Sequence, residues 1–335
     1  MAKEKNKDKE KKKEEKSNDG FKLTDLPGIG PTTAKKLEDN GYGDLMSVAV
    51  MSPNDLGSLC DLSEAVARKA ILAARKMLNL EFMDGTEYVK KREEVYKITT
   101  GSKSFDKLLG GGVETKAITE TFGAFGSGKS QLAHTLAVTV QLPKDQNGGN
   151  GKAVWIDTEG TFRPERIKQI ALAKGMDTEQ ALKNIFVARA FNSDHQILLI
   201  EKVLDLLNKG EPVRLLIIDS ITAHFRAEFV GRGQLADRQQ RINKHLHSLM
   251  RLAESKNIAI YMTNQVMANP AIMFGDPTTA IGGHIIGHAS TYRIYLRRGK
   301  KNSRVAKMVD SPNLPENECV FFVSDAGVID VEDEE

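Results

Sequence analysis

The spacing of hydrophobic residues changes twice along the chain, and each change indicates a different kind of structure. Residues 1–20 are almost all Lys, Glu, Asp and Asn, which bury too little surface to offset the entropy of ordering, so we expect a disordered tail. Short apolar stretches at helical spacing, separated by Gly and Pro turn signals, predict a compact all-α domain over residues 21–80. From Lys97 onward, alternating apolar strands and helical stretches predict a mostly parallel α/β sheet over residues 97–335.

Apolar runs mark the strands of the second domain, with helical stretches between the first five. The runs lie at residues 117–122, 153–157, 185–189, 213–219, 258–263 and 292–296. We expect further antiparallel strands over residues 304–323 and a loop over the Gly/Asn-rich residues 143–152. Residues 81–96 are charged and non-periodic, and we interpret them as a linker between the two domains.

Composition limits the classes of function. The chain has 335 residues and a net charge of only +3, so any nucleic-acid site has to be a local cluster of basic residues. No apolar run reaches the roughly 20 residues that span a membrane, and we find no hydrophobic signal segment. Cys60 and Cys319 do not make a disulfide framework, so we expect a reduced, cytoplasmic protein.

One phosphate-binding motif stands between a predicted strand and a predicted helix over residues 131–140. Gly123-Ala124-Phe125-Gly126-Ser127-Gly128-Lys129-Ser130 fits the pattern G-x-x-x-x-G-K-[ST]. Its glycines let backbone N–H groups converge on phosphate oxygens, and the following helix adds the positive end of its dipole. We expect Lys129 to contact the β- and γ-phosphates of ATP and Ser130 to bind Mg²⁺. The alternative is a Gly-rich turn that binds nothing.

Acidic residues follow two of the predicted strands. Asp219 ends the apolar run 213–219, which is the position expected of an acid that holds Mg²⁺, here through water. Glu159 lies just after the strand 153–157, where a carboxylate can orient or deprotonate the attacking water. Asp157 is the competing candidate, although at the strand end it could instead anchor the turn.

Taken together, several segments resemble the RadA branch of the RecA/RadA family of DNA strand-exchange ATPases. The segments are residues 123–131, 157–166, 187–192, 219–220, 231–233, 238–240, 264–265 and 281–284. The resemblance runs from about Leu23 to the C-terminal region, in order and at matching spacing. It implies a RecA-like P-loop ATPase core with a mostly parallel twisted sheet, preceded by a small all-α helix-hairpin-helix domain. The implied function is an ATP-bound filament on single-stranded DNA that pairs with homologous duplex and exchanges strands, with ATP and Mg²⁺ as cofactors.

The resemblance also implies roles for single residues around ATP. Glu159 resembles the water-activating residue, Arg166 the residue that stacks on adenine, and Gln265 the γ-phosphate sensor that is linked to a DNA-binding loop. The nucleotide-binding segment extends to Gln131. Residues of the neighbouring subunit complete the site in this family, and His284, Asp310 and Pro312 resemble them. ATP would then lie between two subunits of a helical filament or a ring, with nucleotide binding linked to assembly.

Two polar, Gly-containing segments are long enough to form mobile loops within the core. The first, residues 225–238, carries Arg226, Arg232 and Arg238, which can contact DNA phosphates; the alternative is a charged surface loop. The second, residues 267–283, follows the sensor residue, and its low basic content would require backbone N–H groups and apolar wedging to contact DNA.

The small domain carries Leu26-Pro-Gly28-Ile-Gly30-Pro31, which resembles a helix-hairpin-helix turn. Such a turn exposes backbone N–H groups to a DNA phosphate, and Lys35 adds local charge. We therefore expect Gly28, Gly30 and Lys35 to help capture duplex DNA without reading its sequence. The alternative is a turn that only packs two helices.

Assembly and two departures from the family pattern concern the linker and the P-loop. Phe82 resembles the linker phenylalanine that inserts into a neighbouring subunit, but Gly85 replaces the alanine of the Phe-x-x-Ala pattern. Ala124 stands where the family often carries Glu, which the backbone cradle does not need.

Three alternatives remain: a regulatory paralogue that binds ATP and DNA without exchanging strands, a ring helicase or clock-type ATPase, and a non-enzymatic DNA-binding scaffold.

Overall fold

The computed structural model describes residues 21–40, 42–78, 80, 82–268 and 278–330. The disordered tail expected for residues 1–20 lies outside this part of the chain, as does most of the second expected DNA loop. The chain divides into two compact units, Met1–Lys91 and Arg92–Glu335. The boundary between the units falls within the expected linker, residues 81–96.

The first unit is a cluster of short helices. Helices α1 to α4 are Pro31–Asp39, Leu45–Ala49, Pro53–Cys60 and Glu64–Met77, and α5, Gly85–Arg92, lies at the boundary of the two units. Ser52 and Ser63 begin α3 and α4 by accepting hydrogen bonds from backbone N–H groups in the first turn. Ala67, Ala70 and Ala74 of α4 are fully buried, which lets the shorter helices pack closely against it.

The second unit alternates strands and helices. Its strands β1 to β13 are Lys97–Ile98, Val113–Glu114, Ala117–Phe122, Lys152–Asp157, Ile185–Arg189, Val213–Asp219, Ala259–Asn264, Val266–Ala268, Thr278–Ala280, Tyr292–Arg298, Arg304–Asp310, Glu318–Ser324 and Gly327–Ile329. Its helices α6 to α13 are Lys103–Leu108, Lys129–Thr139, Pro164–Ala173, Thr178–Lys183, Ser193–Asn208, Ala223–Glu228, Leu235–Lys256 and Gly283–Ala289.

Within the described residues, nine strands form one sheet in the order β13-β12-β11-β10-β3-β7-β6-β4-β5. Pairing is parallel from β10 through β5 and antiparallel from β10 to β13. The predicted mostly parallel α/β sheet, with antiparallel strands near the C-terminus, is therefore confirmed. β1 pairs with β2 and β8 with β9 as two separate hairpin-like ribbons.

Successive residues of the central strands face opposite sides of the sheet, and each side is covered by helices. One cluster contains Trp155, Ile217 and Tyr261 together with residues of α7 and α8. The other contains their strand neighbours Ile156, Ile218 and Ile260 together with residues of α10 and α12. Side chains on both sides of the central strands are buried, which explains why the strands appear in the sequence as continuous apolar runs.

Three expectations need correction. The first expected DNA loop, residues 225–238, is mostly helical, because α11 extends to Glu228 and α12 begins at Leu235. The expected linker, residues 81–96, contains the helix α5. None of the residues of α5 is buried, so the helix has no apolar periodicity by which the sequence could reveal it. The expected loop 143–152 contains a 3₁₀ turn, Lys144–Gln146.

Gly28 and Gly30 offer a matched pair for testing the turn in the first unit. Gly28 has φ +84°, and a Cβ atom there would lie 2.4 Å from Cγ1 of Val66, whereas nothing lies within 4 Å of a Cβ at Gly30. We expect Gly28→Ala to destabilise this unit by about 1–3 kcal/mol and Gly30→Ala to leave its stability nearly unchanged. Amide hydrogen exchange of Pro31–Asp39 in the full chain measures the difference, and equal protection in both variants would contradict this packing.

Candidate active site

The site lies at the carboxyl edge of four neighbouring parallel strands, β3, β7, β6 and β4. Register places the last residue of β3, Phe122, beside Asn264 of β7, and the last residue of β4, Asp157, beside Asp219 of β6. The segments that follow these ends enclose a cavity of about 1380 Å³. Its lining includes P-loop residues, Gln131, Glu159, Arg166, Asp219 and Gln265. The fold thus brings most of the predicted nucleotide-binding residues into one cavity.

The P-loop connects β3 to α7, as predicted. Gly123 has to be glycine because a Cβ atom there would lie 2.1 Å from the carbonyl oxygen of Leu296 on β10. Gly123, Ala124, Phe125, Gly126 and Gly128 line the cavity, while Ser127 is buried beneath it. α7 begins at Lys129, two residues earlier than expected, so its free N-terminal N–H groups belong to the loop itself.

The side chain of Lys129 is hydrogen-bonded to the backbone of the P-loop. Its ammonium group donates to the carbonyl oxygens of Gly123 at 2.7 Å and Ala124 at 3.0 Å. Burial lowers the pKa of Lys129, while the carboxylates of Asp219 and Glu159 act in the opposite direction. A phosphate oxygen carries more charge than these carbonyls and would form the stronger bond with the ammonium group.

Asp219 is a buried carboxylate at the end of β6. It accepts hydrogen bonds from the hydroxyl of Thr161 at 2.7 Å and from the hydroxyl of Thr263. Ser130 lines the same cavity, so a hydroxyl and a carboxylate face a common space. Oxygen ligands of this kind suit Mg²⁺, and the two residues therefore fit the predicted metal position.

Asp157 is committed to the backbone of the turn that follows β4. One of its oxygens accepts from the N–H groups of Glu159, Gly160 and Thr161 at 2.6–3.1 Å, and the other accepts from that of Phe162 at 3.3 Å. A carboxylate that accepts this many backbone hydrogen bonds fixes the turn. The geometry thus favours the anchoring role for Asp157 and leaves Glu159 as the carboxylate that faces the cavity.

Glu159 lies at the centre of a short hydrogen-bonded chain. Its Oε1 accepts from the hydroxyl of Ser220 at 2.6 Å and from the amide Nε2 of Gln265 at 2.8 Å. The Oε1 of Gln265 accepts in turn from the guanidinium of Arg226 at 3.3 Å. One amide side chain therefore joins the candidate catalytic acid to a candidate DNA-binding arginine.

Arg166 is fixed at the other end of the cavity. It donates to Oε1 of Gln131 at 2.8 Å and to the carbonyl oxygens of Ser324 and Asp325 in the turn between β12 and β13. Burial lowers the pKa of Arg166. This geometry holds the guanidinium group at the cavity wall, where a nucleotide base could stack on it.

Sequence reasoning missed further residues of the cavity wall. The ring of His134 bonds the carbonyl of Ser130 at 2.6 Å and accepts from the backbone N–H of Arg163 at 3.0 Å, so it ties the P-loop helix to the start of α8. Arg304 donates to the carbonyl of Gly126 at 3.0 Å. His134 lies one helical turn after Ser130, which is a signal in the sequence, whereas Arg304 is brought there only by the sheet.

Besides Ser127, three predicted nucleotide-binding residues do not line this cavity. His284 on α13, Asp310 at the end of β11 and Pro312 are all exposed. The family resemblance implies that they contact the nucleotide of a neighbouring subunit.

The candidate DNA-binding residues are spread over both units. Arg226 is exposed on α11, Arg238 is half-buried on α12, and Arg232 begins a 3₁₀ turn between these helices. The ends of the second loop form the β8–β9 ribbon, and its residues 269–277 lie outside the described part of the chain. Gly28, Gly30 and Lys35 are exposed in the first unit, and Phe82 is fully exposed.

Two negative findings apply to the described residues. No helix in this part of the chain has the length and apolar composition needed to cross a membrane. The same residues contain no group of three or more His, Cys, Asp or Glu side chains that could hold a metal ion.

Comparison with known proteins gives matches to both units. Residues 91–331 match the family model described as Rad51, and residues 21–76 match that of the SAM-like helix-hairpin-helix tandem. The DNA repair and recombination protein RadA of Aeropyrum pernix is 50% identical over 310 residues, which make up 92% of this chain and 97% of that protein.

Glu159 and Glu165 both line the cavity and differ in their contacts, which makes them a matched pair. We expect Glu159→Gln to keep ATP affinity within about threefold and to lower turnover by roughly 10²-fold or more, because a neutral amide cannot accept a proton from water. Glu165→Gln should keep both properties. Steady-state ATP hydrolysis and nucleotide titration measure the two effects, and full turnover in Glu159→Gln would remove Glu159 from the catalytic role.

Proposed function

The chain belongs to the Rad51 family, and from this premise we propose that it is an ATP-dependent DNA recombinase. It forms a filament on single-stranded DNA, pairs that strand with a homologous duplex and exchanges strands in recombination and repair. The observation that carries this proposal is the amide of Gln265, which bonds both Glu159 in the nucleotide cavity and Arg226 on α11. A scaffold that binds DNA without turning over ATP has no need for this connection.

The hydrolytic step uses groups at the carboxyl edge of the sheet. A water molecule positioned by Glu159 attacks the γ-phosphorus of ATP and gives its proton to the carboxylate. The bond between the γ-phosphorus and the bridging oxygen breaks, and ADP and inorganic phosphate are the products. Lys129 and the N-terminus of α7 stabilise the phosphate charge. Ser130 and Asp219 would hold Mg²⁺, which neutralises charge on the phosphate oxygens.

Gln265 lies between the cavity that binds ATP and the arginine that contacts DNA. A γ-phosphate in the cavity competes for the amide that otherwise lies on Glu159, and any shift of that amide also alters its bond to Arg226. Nucleotide state and the position of a DNA-contacting arginine are therefore coupled, and DNA binding has to change the affinity for ATP in return. A shift of Gln265 also changes the hydrogen bond that holds Glu159, and DNA binding alters ATP turnover by this route.

DNA contacts come from local clusters, because the net charge of the chain is small. Arg226, Arg232 and Arg238 bind phosphates of the single strand, and the second loop begins just after Gln265 in the chain. The helix-hairpin-helix turn with Gly28, Gly30 and Lys35 contacts duplex phosphates through backbone N–H groups. None of these contacts reads bases, which suits an enzyme that acts on any homologous sequence.

Assembly completes the nucleotide site. Phe82 is the exposed linker side chain that inserts into a neighbouring subunit, where burial of an aromatic anchor contributes about 2–4 kcal/mol. His284, Asp310 and Pro312 then face the ATP of the neighbour. Since substrate DNA is chromosomal, this function places the protein in the cytoplasm, associated with the nucleoid.

Phe82 and Tyr88 are exposed aromatic residues of the same segment, which allows a controlled test of assembly. We expect Phe82→Glu to give monomers at low micromolar concentration, because a carboxylate cannot enter an apolar pocket unpaired. Tyr88→Glu should keep the oligomeric state of the wild type. Analytical ultracentrifugation of the three proteins provides the measurement, and oligomers of normal size in Phe82→Glu would refute the anchor.

The recombinase function itself is tested by D-loop formation with matched and scrambled single strands in the presence of ATP and Mg²⁺. We expect product with the matched strand only. Under conditions in which each filament has to hydrolyse its ATP and disassemble before it can react again, Glu159→Gln should give no product. DNA-stimulated ATP hydrolysis without any D-loop would instead indicate a regulatory paralogue. The absence of both activities would overturn the assignments of the loops and of Gln265.

A further inference from the structure

Asn264, the last residue of β7, has a fully buried side chain whose hydrogen-bonding capacity is completely used. Its amide nitrogen donates to Oε1 of Glu120 at 2.8 Å and to the carbonyl of Ile281 at 2.6 Å. Its amide oxygen accepts from the hydroxyl of Thr222 at 2.9 Å and from the backbone N–H of Gln265 at 2.9 Å. An amide offers two donors and two acceptor sites, so each of them is satisfied here.

The hydrogen-bond partners of Asn264 lie in or next to the segments that we expect to bind DNA or to sense the γ-phosphate of ATP. Thr222 is the residue before α11, the helix that carries Arg226. Gln265 is the candidate sensor, and Ile281 follows β9 at the end of the second DNA loop. The backbone N–H of Ile281 also donates to the carbonyl of Gln265 at 3.0 Å. One end of each candidate DNA-binding segment, or a residue near it, therefore hydrogen-bonds to the side-chain amide of Asn264, directly behind the candidate sensor.

Glu120 connects this amide to a further element. Its side chain is fully buried on β3, and its Oε2 accepts from Nε of Arg293 at 2.7 Å. Arg293 lies over the ring of Phe122, and its guanidinium would be 3.0 Å from a Cβ atom at Gly287 of α13. α13 is the helix that carries His284. Removal of Arg293 would leave the fully buried carboxylate of Glu120 without its cation, so this pair holds one arrangement strongly.

We propose that Asn264, Glu120 and Arg293, together with Thr222, form a buried positioning junction that transmits DNA binding at α11 to the sensor Gln265. Movement of α11 when Arg226 contacts a phosphate shifts Thr222, and Thr222 shifts the amide that holds the backbone of Gln265. These are positioning residues, since none of them lines the nucleotide cavity. The inference rests on the proposed function, because it assigns Gln265 to the coupling of ATP and DNA.

The position of this network distinguishes it from an ordinary core contact. Ile118 and Met262, two residues before Glu120 and Asn264 on the same strands, belong to an apolar core cluster. Polar groups buried beside such a cluster need every hydrogen bond to offset their desolvation. Thr119, one residue before Glu120 on β3, is a contrast. Its buried hydroxyl has no hydrogen-bond partner among the described residues. A buried threonine hydroxyl in this sheet is therefore accommodated without a hydrogen bond from the described residues, which makes Thr119 a control for Thr222.

The test compares Thr222→Val, Thr222→Ser and Thr119→Val in the full-length protein, using ATP, Mg²⁺ and a single-stranded oligonucleotide. Valine keeps the shape of threonine and removes the bond to Asn264, while serine keeps that bond. Because one hydrogen bond to a buried amide is lost, we expect the stimulation of ATP turnover by DNA to fall roughly fivefold or more in Thr222→Val. DNA-free turnover and nucleotide affinity should stay within about twofold, since the bond from Asn264 to Gln265 remains. Thr222→Ser and Thr119→Val should be stimulated like the wild type.

Each other outcome has a distinct meaning. Normal stimulation in Thr222→Val overturns the junction, and so does an equal loss of turnover with and without DNA, which would indicate a purely structural role. If the wild type hydrolyses ATP but is not stimulated by DNA, the proposed function fails, and the junction fails with it. Thr222→Ala removes the same hydroxyl and gives a second variant for the comparison if the valine protein does not fold.

Discussion

The register of four parallel strands is the constraint on which the rest of this structure depends. Parallel strands end at a common edge, and here β3, β7, β6 and β4 end within one residue of register with each other. The P-loop, the candidate sensor Gln265, the candidate metal-binding residue Asp219 and the turn with Glu159 each lie at one of these ends. A change in register of one strand would turn its side chains to the opposite face and separate these groups.

Two buried carboxylates at this edge are held by the fold, and the exposed carboxylate of Glu159 lies beside them. Asp157 accepts backbone N–H groups, and Asp219 accepts threonine hydroxyls within the sheet edge. Their rigidity is what allows Glu159, which is exposed, to be fixed by only Ser220 and Gln265. Preorganisation of this kind lets a cavity wall act on a developing charge without rearranging.

The proposed coupling between ATP and DNA rests on how few atoms separate the two candidate sites. Gln265 contacts Glu159 with one end of its amide and Arg226 with the other, and Asn264 holds the backbone of Gln265 from behind. Buried networks that are fully hydrogen-bonded favour one arrangement strongly over others. The same rigidity makes the junction suited to transmitting small displacements of α11, whereas an apolar contact would absorb them.

The sequence by itself determined the six parallel strands of the described sheet, the P-loop and the mostly parallel sheet, because apolar runs and Gly-rich turns are local signals that depend on neighbouring residues. The predicted bounds of β3, β5 and β6 agree with the structure. It did not reveal α5 or the helical course of residues 225–238, since neither has a strong apolar period.

Only the tertiary structure decided which polar residues meet. Glu120 lies 144 residues from Asn264 and 173 residues from Arg293, and no local pattern connects residues so far apart in the chain. The choice between Asp157 and Glu159 also needed the fold, because both acids follow the same strand and only their hydrogen bonds separate an anchor from a group that faces the cavity.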